Sequence, residues 1–217
     1  DERATQMTYI KICGIKEAEH ALAAAEGGAD FIGLVFAPSP RQINLEQARR
    51  IAMAVKGSGF PAEVVGVFVN VHAATVNGIA ENCYLDRVQL SGDESWEYGK
   101  EIARPVIKVV RVKRGQSAAE VIAYLAEGAS ILSKRKCTFL LDSQVSDKYG
   151  GTGTIFDWNL ARRVAREYPV LLAGGLTPEN VAQALRKVAP WGVDVSSGLE
   201  VDGVKHIPRI KAFIEAV

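Results

Sequence analysis

Eight times along this chain an aliphatic, β-branched run is followed by a stretch of helical periodicity, and no other feature restricts the available folds so strongly. Runs over 9–13, 31–36, 64–69, 87–90, 106–110, 138–141, 170–173 and 193–195 are rich in Val, Ile, Leu and Phe and read as strands. Helical patterns follow each of them, over 17–26, 45–55, 73–82, 96–103, 118–127, 158–167, 178–188 and 207–216. The second helix shows the logic: Leu45, Ala48, Ile51, Ala52 and Val55 fall at i, i+3, i+4 spacing and form one apolar face that must pack on something. Strands that are apolar almost throughout fit a parallel sheet whose outer face is covered by those helices. The expectation is therefore an α/β fold, a single-domain (β/α)8 TIM barrel, with an open doubly wound sheet as the competing topology. Local signals agree with individual boundaries. Thr177 before Pro178 reads as an N-cap with Pro at the first helical position, and Gly27, Gly28 and Gly128 suit helix exits.

The 217 residues suffice for one domain with a full core, taken to run over 7–217. Residues 1–6 are polar and stand before Met7, so they are set apart from the fold as an expression remnant or the end of a linker. With 26 basic against 25 acidic residues the net charge is +1. The one basic run, Lys134, Arg135 and Lys136, suits a solvated helix end. Nucleic acid is accordingly not an expected partner. No apolar stretch approaches the ~20 residues that cross a bilayer, which argues against a membrane. Three cysteines without paired spacing or a secretory leader argue for free thiols in a reducing, cytoplasmic compartment.

Chemistry-bearing residues gather at the ends of the strand-like runs, as they do at the carboxyl face of an α/β barrel. Cys13 closes the first run, and period-two geometry puts it on the same face as Lys11, whose ammonium would favour the reactive thiolate. Taken alone, an isolated cysteine also reads as a small buried hydrophobe. Cys83 closes a helix and Cys137 begins its strand at the opposite face, so neither competes for a catalytic role. Asp142 ends the sixth run and precedes a long polar and glycine-rich connection through Tyr149, Gly150, Gly151 and Gly153, read as a mobile lid. A carboxyl group at such an apolar strand end suits a general acid, although taken alone it reads first as an Asp-initiated turn. Across an eight-stranded ring the first and sixth strands face each other, so Cys13 and Asp142 can flank one small substrate.

Arg41 follows Pro38, Ser39 and Pro40 beyond the second run, where a stiffened segment can present its planar fork to a carboxylate. Gln89, near the end of the fourth run, can offer an amide to the same cavity. Gly174 and Gly175 follow the seventh run, and Ser196, Ser197 and Gly198 follow the eighth. Small residues at these matching places expose backbone N–H groups where barrels commonly bind phosphate, so a phosphorylated small molecule is the expected ligand. Two other readings stay open on the residues alone. One is a phosphate-binding barrel lyase or synthase using Lys11 or Lys108, and the other is a sugar-phosphate-binding protein without catalysis.

The ordered set KICGI, GLVFAPSPRQI, VGVFVN, RVQLSGDES, LLDS, GGTGTIFDW, LAGGLTPENV and GVDVSSGLE resembles the phosphoribosylanthranilate isomerase family, from Tyr9 to the C-terminus. The resemblance implies a (β/α)8 enzyme of tryptophan biosynthesis that uses no metal or organic cofactor. It further implies the Amadori rearrangement of N-(5-phosphoribosyl)anthranilate. The family's base falls on Cys13, its acid on Asp142, its anthranilate-binding arginine on Arg41 and its phosphate loops on Gly174, Gly175, Ser196, Ser197 and Gly198. One departure stands out: Ser91 occupies the place after VQL where the family usually has histidine. The resemblance also implies that the chain can be one segment of a multifunctional tryptophan-pathway enzyme, as happens in some organisms.

Overall fold

The computed structural model describes residues 8–113, 115–132, 137–143 and 157–217. The early segment 1–6, the basic run 134–136 and the connection 144–156 with its glycines lie outside or almost wholly outside these residues. Eight parallel strands close into a barrel in sequence order: β1 (Tyr9–Cys13), β2 (Phe31–Val35), β3 (Glu63–Phe68), β4 (Arg87–Leu90), β5 (Val106–Val112), β6 (Cys137–Ser143), β7 (Val170–Leu172) and β8 (Gly192–Val195). The ring is sealed by β1 against β8, with Lys11 beside Asp194 and Ile12 beside Val195. The helices α1 (Ala18–Gly27), α2 (Leu45–Gly57), α3 (Ala73–Asn82), α4 (Trp96–Lys100), α5 (Ala118–Ile131), α6 (Trp158–Ala165), α7 (Val181–Val188) and α8 (Ile207–Glu215) follow the strands in turn.

Alternation along each strand divides the apolar residues between two cores. Ile10 and Ile12 of β1 face the helices and join the large outer cluster with Ile32, Leu34, Ile51 and Val55. The opposite phase fills the barrel, where Phe31, Val65, Ile107, Val109, Leu140 and Leu171 pack together. Tyr9 stacks on Trp191 at 4.0 Å and on Phe31 at 6.0 Å. Arg87 lies over the Phe31 ring at 5.3 Å, so the amino end of the barrel is plugged. The carboxyl end is left for a cavity.

Several expected boundaries move, each for a local reason. Helix α2 starts on the capping box of Asn44 and Gln47, and its apolar face buries Ala48, Ile51, Ala52 and Val55. Leu45, expected on that face, is exposed in the first turn. Gly128 is not a helix exit; α5 runs on to Ile131, and the glycine makes room for Trp96, whose ring a Cβ there would meet at 2.6 Å. Gly28 does terminate α1 with a φ of 105°. The α4 helix stops short because the Asn77 side chain takes over its end, donating to Glu101 O at 2.8 Å and accepting from Ala103 N at 2.9 Å. Thr177 is not the N-cap of α7: Pro178 to Asn180 form a turn and the helix begins at Val181. The Asn180 side chain is occupied elsewhere, accepting from Thr177 N and donating to Gly175 O, both at 2.8 Å. A two-stranded hairpin, β9 (Glu200–Val201) with β10 (Val204–Lys205), follows the last barrel strand and has no counterpart in the sequence reading.

Candidate active site

A cavity of about 540 Å³ opens at the carboxyl end of the barrel, within the range that holds a small phosphorylated molecule. Cys13 and Asp142 line it from β1 and β6, and Gln89 from β4. Ser39 and Arg41 reach it from the loop after β2. Gly174, Gly175, Ser196, Ser197 and Gly198 form its wall beyond β7 and β8. The residues expected to carry the chemistry and hold the ligand, Cys13, Asp142, Arg41, Gln89 and the two anion-binding loops, therefore meet in one space.

Below Cys13 on the inward face of β1, Lys11 is completely buried and its Nζ donates to Asp194 Oδ1 at 2.7 Å. Burial alone would depress the Lys11 ammonium, but the opposing charge of Asp194 and the nearby Cys13 raise it above the ordinary lysine value. Room for the Cys13 sulfur comes from Gly33 on the neighbouring strand, since a Cβ at Gly33 would stand 2.8 Å from Sγ. Gly33 pairs in register with Cys13. Lys108, by contrast, is on the outer phase of β5. Its Nζ donates to Glu94 at 2.9 Å and to Gly92 O at 3.1 Å, so it serves a buried ion pair and does not reach the cavity. Glu94 in turn accepts from the backbone N–H of Asn70 and Gly92, tying the loops after β3 and β4 together. Cys137 lies near the other end of β6, where burial pushes its thiol up to about 12.

Arg41 is held by a short turn in which Ser39 Oγ accepts from Arg41 N at 3.1 Å. Its Nε and Nη2 donate to the two carboxylate oxygens of Glu200 at 2.6 and 2.8 Å, a two-point contact that raises the guanidinium above the ordinary arginine value. Lys205 Nζ donates to the same Glu200 at 2.6 Å and to Ser196 O at 2.9 Å. Burial would raise the Glu200 carboxyl, yet these two cations hold it below its ordinary value. Gly14, with a φ of 77°, lets the Arg41 stem pass: a Cβ there would lie 2.5 Å from Arg41 Cδ and 2.9 Å from Ser196 Oγ.

Gly174 and Gly175 have φ values of 96° and 68°, in the left-handed region that glycine adopts without strain. The loop after β8 turns through a single 3₁₀ segment, Ser197–Leu199. The two loops touch where Gly198 passes the Leu176 carbonyl so closely that a Cβ would collide with it. Backbone N–H groups of such paired loops, together with the serine hydroxyls, form a cradle suited to a phosphate. Gln89 Nε2 donates to Ser91 Oγ at 3.0 Å, which shows what replaces the expected histidine: a hydroxyl that fixes the amide. Arg111 also lines the cavity, stands in register with Asp142 and donates through Nη2 to Ser91 O. No group of three His, Cys, Asp or Glu side chains suited to a metal occurs among the described residues.

The profile of a family described as N-(5'-phosphoribosyl)anthranilate (PRA) isomerase matches residues 10–216. The chain belongs to the PRA isomerase family. It is 48% identical over 211 residues to N-(5'-phosphoribosyl)anthranilate isomerase of Dehalococcoides mccartyi, covering 97% of this chain and 96% of that one. The crystal structure of phosphoribosyl anthranilate isomerase from Thermotoga maritima superposes with a TM-score of 0.82 at 38% identity, covering 97% of this chain and 98% of the other. A second solved isomerase, in complex with reduced 1-(o-carboxyphenylamino)-1-deoxyribulose 5-phosphate, gives a TM-score of 0.79 at 38% identity over 97% and 98% of the two chains. The family and the barrel expected from the sequence thus both hold. Arg111, Asp194, Glu200 and Lys205 were missed. Arg111 lies just past the expected end of the fifth run at 110, two residues short of the strand's end at Val112, and it continues the inward phase of Ile107 and Val109. Asp194 sits between two valines in a motif whose small residues drew the attention. No sequence signal links Glu200 to Arg41, which are 159 positions apart.

Proposed function

We propose that this PRA isomerase family member carries out the Amadori rearrangement of N-(5'-phosphoribosyl)anthranilate to 1-(2-carboxyphenylamino)-1-deoxyribulose 5-phosphate in tryptophan biosynthesis, with Asp142 as general acid and Cys13 as general base. The observation that carries the reading is one cavity lined by a thiol, a carboxyl group, an arginine fork and a two-loop phosphate cradle. Asp142 gives a proton to the ribose ring oxygen; the C1–O bond breaks, and the anilino nitrogen lone pair forms an iminium ion. Cys13 thiolate then takes the proton from sugar C2. The electrons of that C–H bond form the C1–C2 double bond and neutralise the iminium nitrogen. The enolamine becomes the ketone when its O–H proton is lost and C1 is protonated, so no atoms are gained or lost. Three cations, Lys11, Arg41 and Lys205, stand close to the Cys13 side chain.

Arg41 would take the ring carboxylate, the Gly174–Gly175 and Ser196, Ser197 and Gly198 loops the phosphate, and Gln89 a polar group between them. Fixing both ends holds C2 between base and acid, and such positioning contributes up to ~7–11 kcal/mol of the barrier. Proton transfer adds about 10²–10⁴-fold. The test is loss of anthranilate riboside fluorescence with freshly made substrate. Turnover by the protein is expected, with Cys13→Ala and Asp142→Asn each lowering kcat by about 10²-fold or more while product-analogue binding persists. Arg41→Ala should instead weaken binding of the aromatic carboxylate. Near-normal turnover in both of the first two variants would overturn the assigned roles.

A further inference from the structure

The arginine expected to grip the substrate carboxylate is held by a carboxylate of the protein itself. Glu200 takes the Nε and Nη2 side of Arg41 at 2.6 and 2.8 Å. A guanidinium has a second, end-on edge, formed by Nη1 and the outer proton of Nη2, and a side-on partner leaves that edge for another carboxylate. Glu200 is not free to compete for other partners, because Lys205 Nζ holds its Oε1 at 2.6 Å. Lys205 is itself buried and anchored to Ser196 O at 2.9 Å, in the wall of the phosphate cradle. The Arg41 stem packs directly against Gly14, where a Cβ would stand 2.5 Å from its Cδ.

Charge follows the same arrangement. Alone, Glu200 would cancel the guanidinium and leave little attraction for an incoming anion. Lys205 restores it, since two cations and one anion leave a single net positive charge, and at a site largely withdrawn from water that balance matters more than on an open surface. We propose that Glu200 and Lys205 are positioning residues for the substrate's ring carboxylate: Glu200 aims the free edge of Arg41 into the cavity, and Lys205 supplies the charge that Glu200 would otherwise remove. The proposal rests on the isomerase reading above, with a substrate bearing one carboxylate at the aromatic end and a phosphate at the other. Lys205 thereby links the two anion grips, touching the carboxylate grip through Glu200 and the phosphate wall through Ser196.

The experiment compares two probes by calorimetric titration, reduced 1-(o-carboxyphenylamino)-1-deoxyribulose 5-phosphate and its counterpart without the ring carboxylate. The unmodified protein should bind the carboxylate form at least about tenfold more tightly, as a charge-assisted two-point contact implies. In Glu200→Gln that preference should fall below about threefold while affinity for the decarboxylated probe stays within about twofold. Lys205→Met should also lose the preference, and Lys205→Arg should retain it. A merely structural role would weaken both probes alike and leave their ratio intact. An unchanged ratio in either Glu200→Gln or Lys205→Met overturns the proposal, as does a ratio below about threefold in the unmodified protein, which can be measured even if a variant fails to fold. Absence of turnover in the unmodified protein would instead count against the isomerase reading.

Discussion

A single missing side chain sets where the sulfur of Cys13 can sit. Gly33 has no left-handed backbone to justify it; what it provides is space, and an added Cβ would stand 2.8 Å from Sγ and 3.0 Å from Cys13 Cα. Gly33→Ala should therefore displace the Cys13 sulfur, the proposed base, without touching Arg41 or the loops after β7 and β8. A fall in kcat of about 10–100-fold with product-analogue binding changed little is the expected outcome, since displacement by about 1 Å can cost that much. Lys11 makes a second prediction, about pH. Its folded value lies above the ordinary 10.5, so the stability it contributes is complete below that value and is lost only as pH rises through the higher folded one. Lys11→Met, which leaves Asp194 without its cation, should cost about 3 kcal/mol at neutral pH. Between about pH 7 and about pH 10 thermal unfolding of the two proteins should differ by a constant amount, and above that range the two should converge. A difference that persists undiminished well above about pH 10 would refute this account. Cys13 and Asp142 could be picked from the sequence because each ends an apolar run, and Arg41 because a proline-stiffened loop presents it; Gly33 could not, because within a strand a glycine chosen for space looks like one merely tolerated.

At the scale of elements, the loops that shape the cavity are held from behind by the Lys108–Glu94 ion pair on the outer phase of β5, nearly inaccessible to solvent on both sides. Glu94 accepts from Asn70 N at 2.8 Å and from Gly92 N at 2.9 Å, and Asn70 Oδ1 accepts from Asp93 N at 2.8 Å. Lys108→Met would leave the Glu94 charge buried without its cation, so a loss of about 3–5 kcal/mol in denaturant unfolding is expected. A loss below about 1 kcal/mol would show that water or a neighbour replaces the ammonium. Sequence alone left Lys108 open as a catalytic lysine, and only its strand phase removed it from the cavity. Element ends show the same division. The left-handed Gly28 is a local device and was legible as a helix exit, whereas the equally local Asn44 and Gln47 capping box of α2 emerged only in the structure. The end of α4 depends on Asn77 from another helix, and the start of α7 on the Asn180 side chain serving the Gly175 loop instead of a cap. Such borrowing leaves no trace in a window of neighbouring residues.

For the whole molecule, ring closure converts distant segments into neighbours. Gly198 after β8 and Leu176 after β7 meet so closely that Gly198→Ala must push the two loops apart. Inorganic phosphate should then compete for the site about tenfold more weakly, with the barrel still folded, because each wall keeps its residues but the cradle between them opens. Unaltered competition would place the phosphate elsewhere. The sequence by itself determined the eight-fold alternation, the parallel arrangement that follows from apolar strands under amphipathic helices, and which strand ends bring thiol, carboxyl and small loop residues to one face, because periodicity and turn chemistry act over a few residues. Tertiary structure alone decided that Asp194 would answer Lys11 across 183 positions, and that Glu200 and Lys205 would stand behind Arg41. Those partners are chosen by barrel register and loop packing, and a charge gains its meaning from the opposite charge that the closed ring brings beside it.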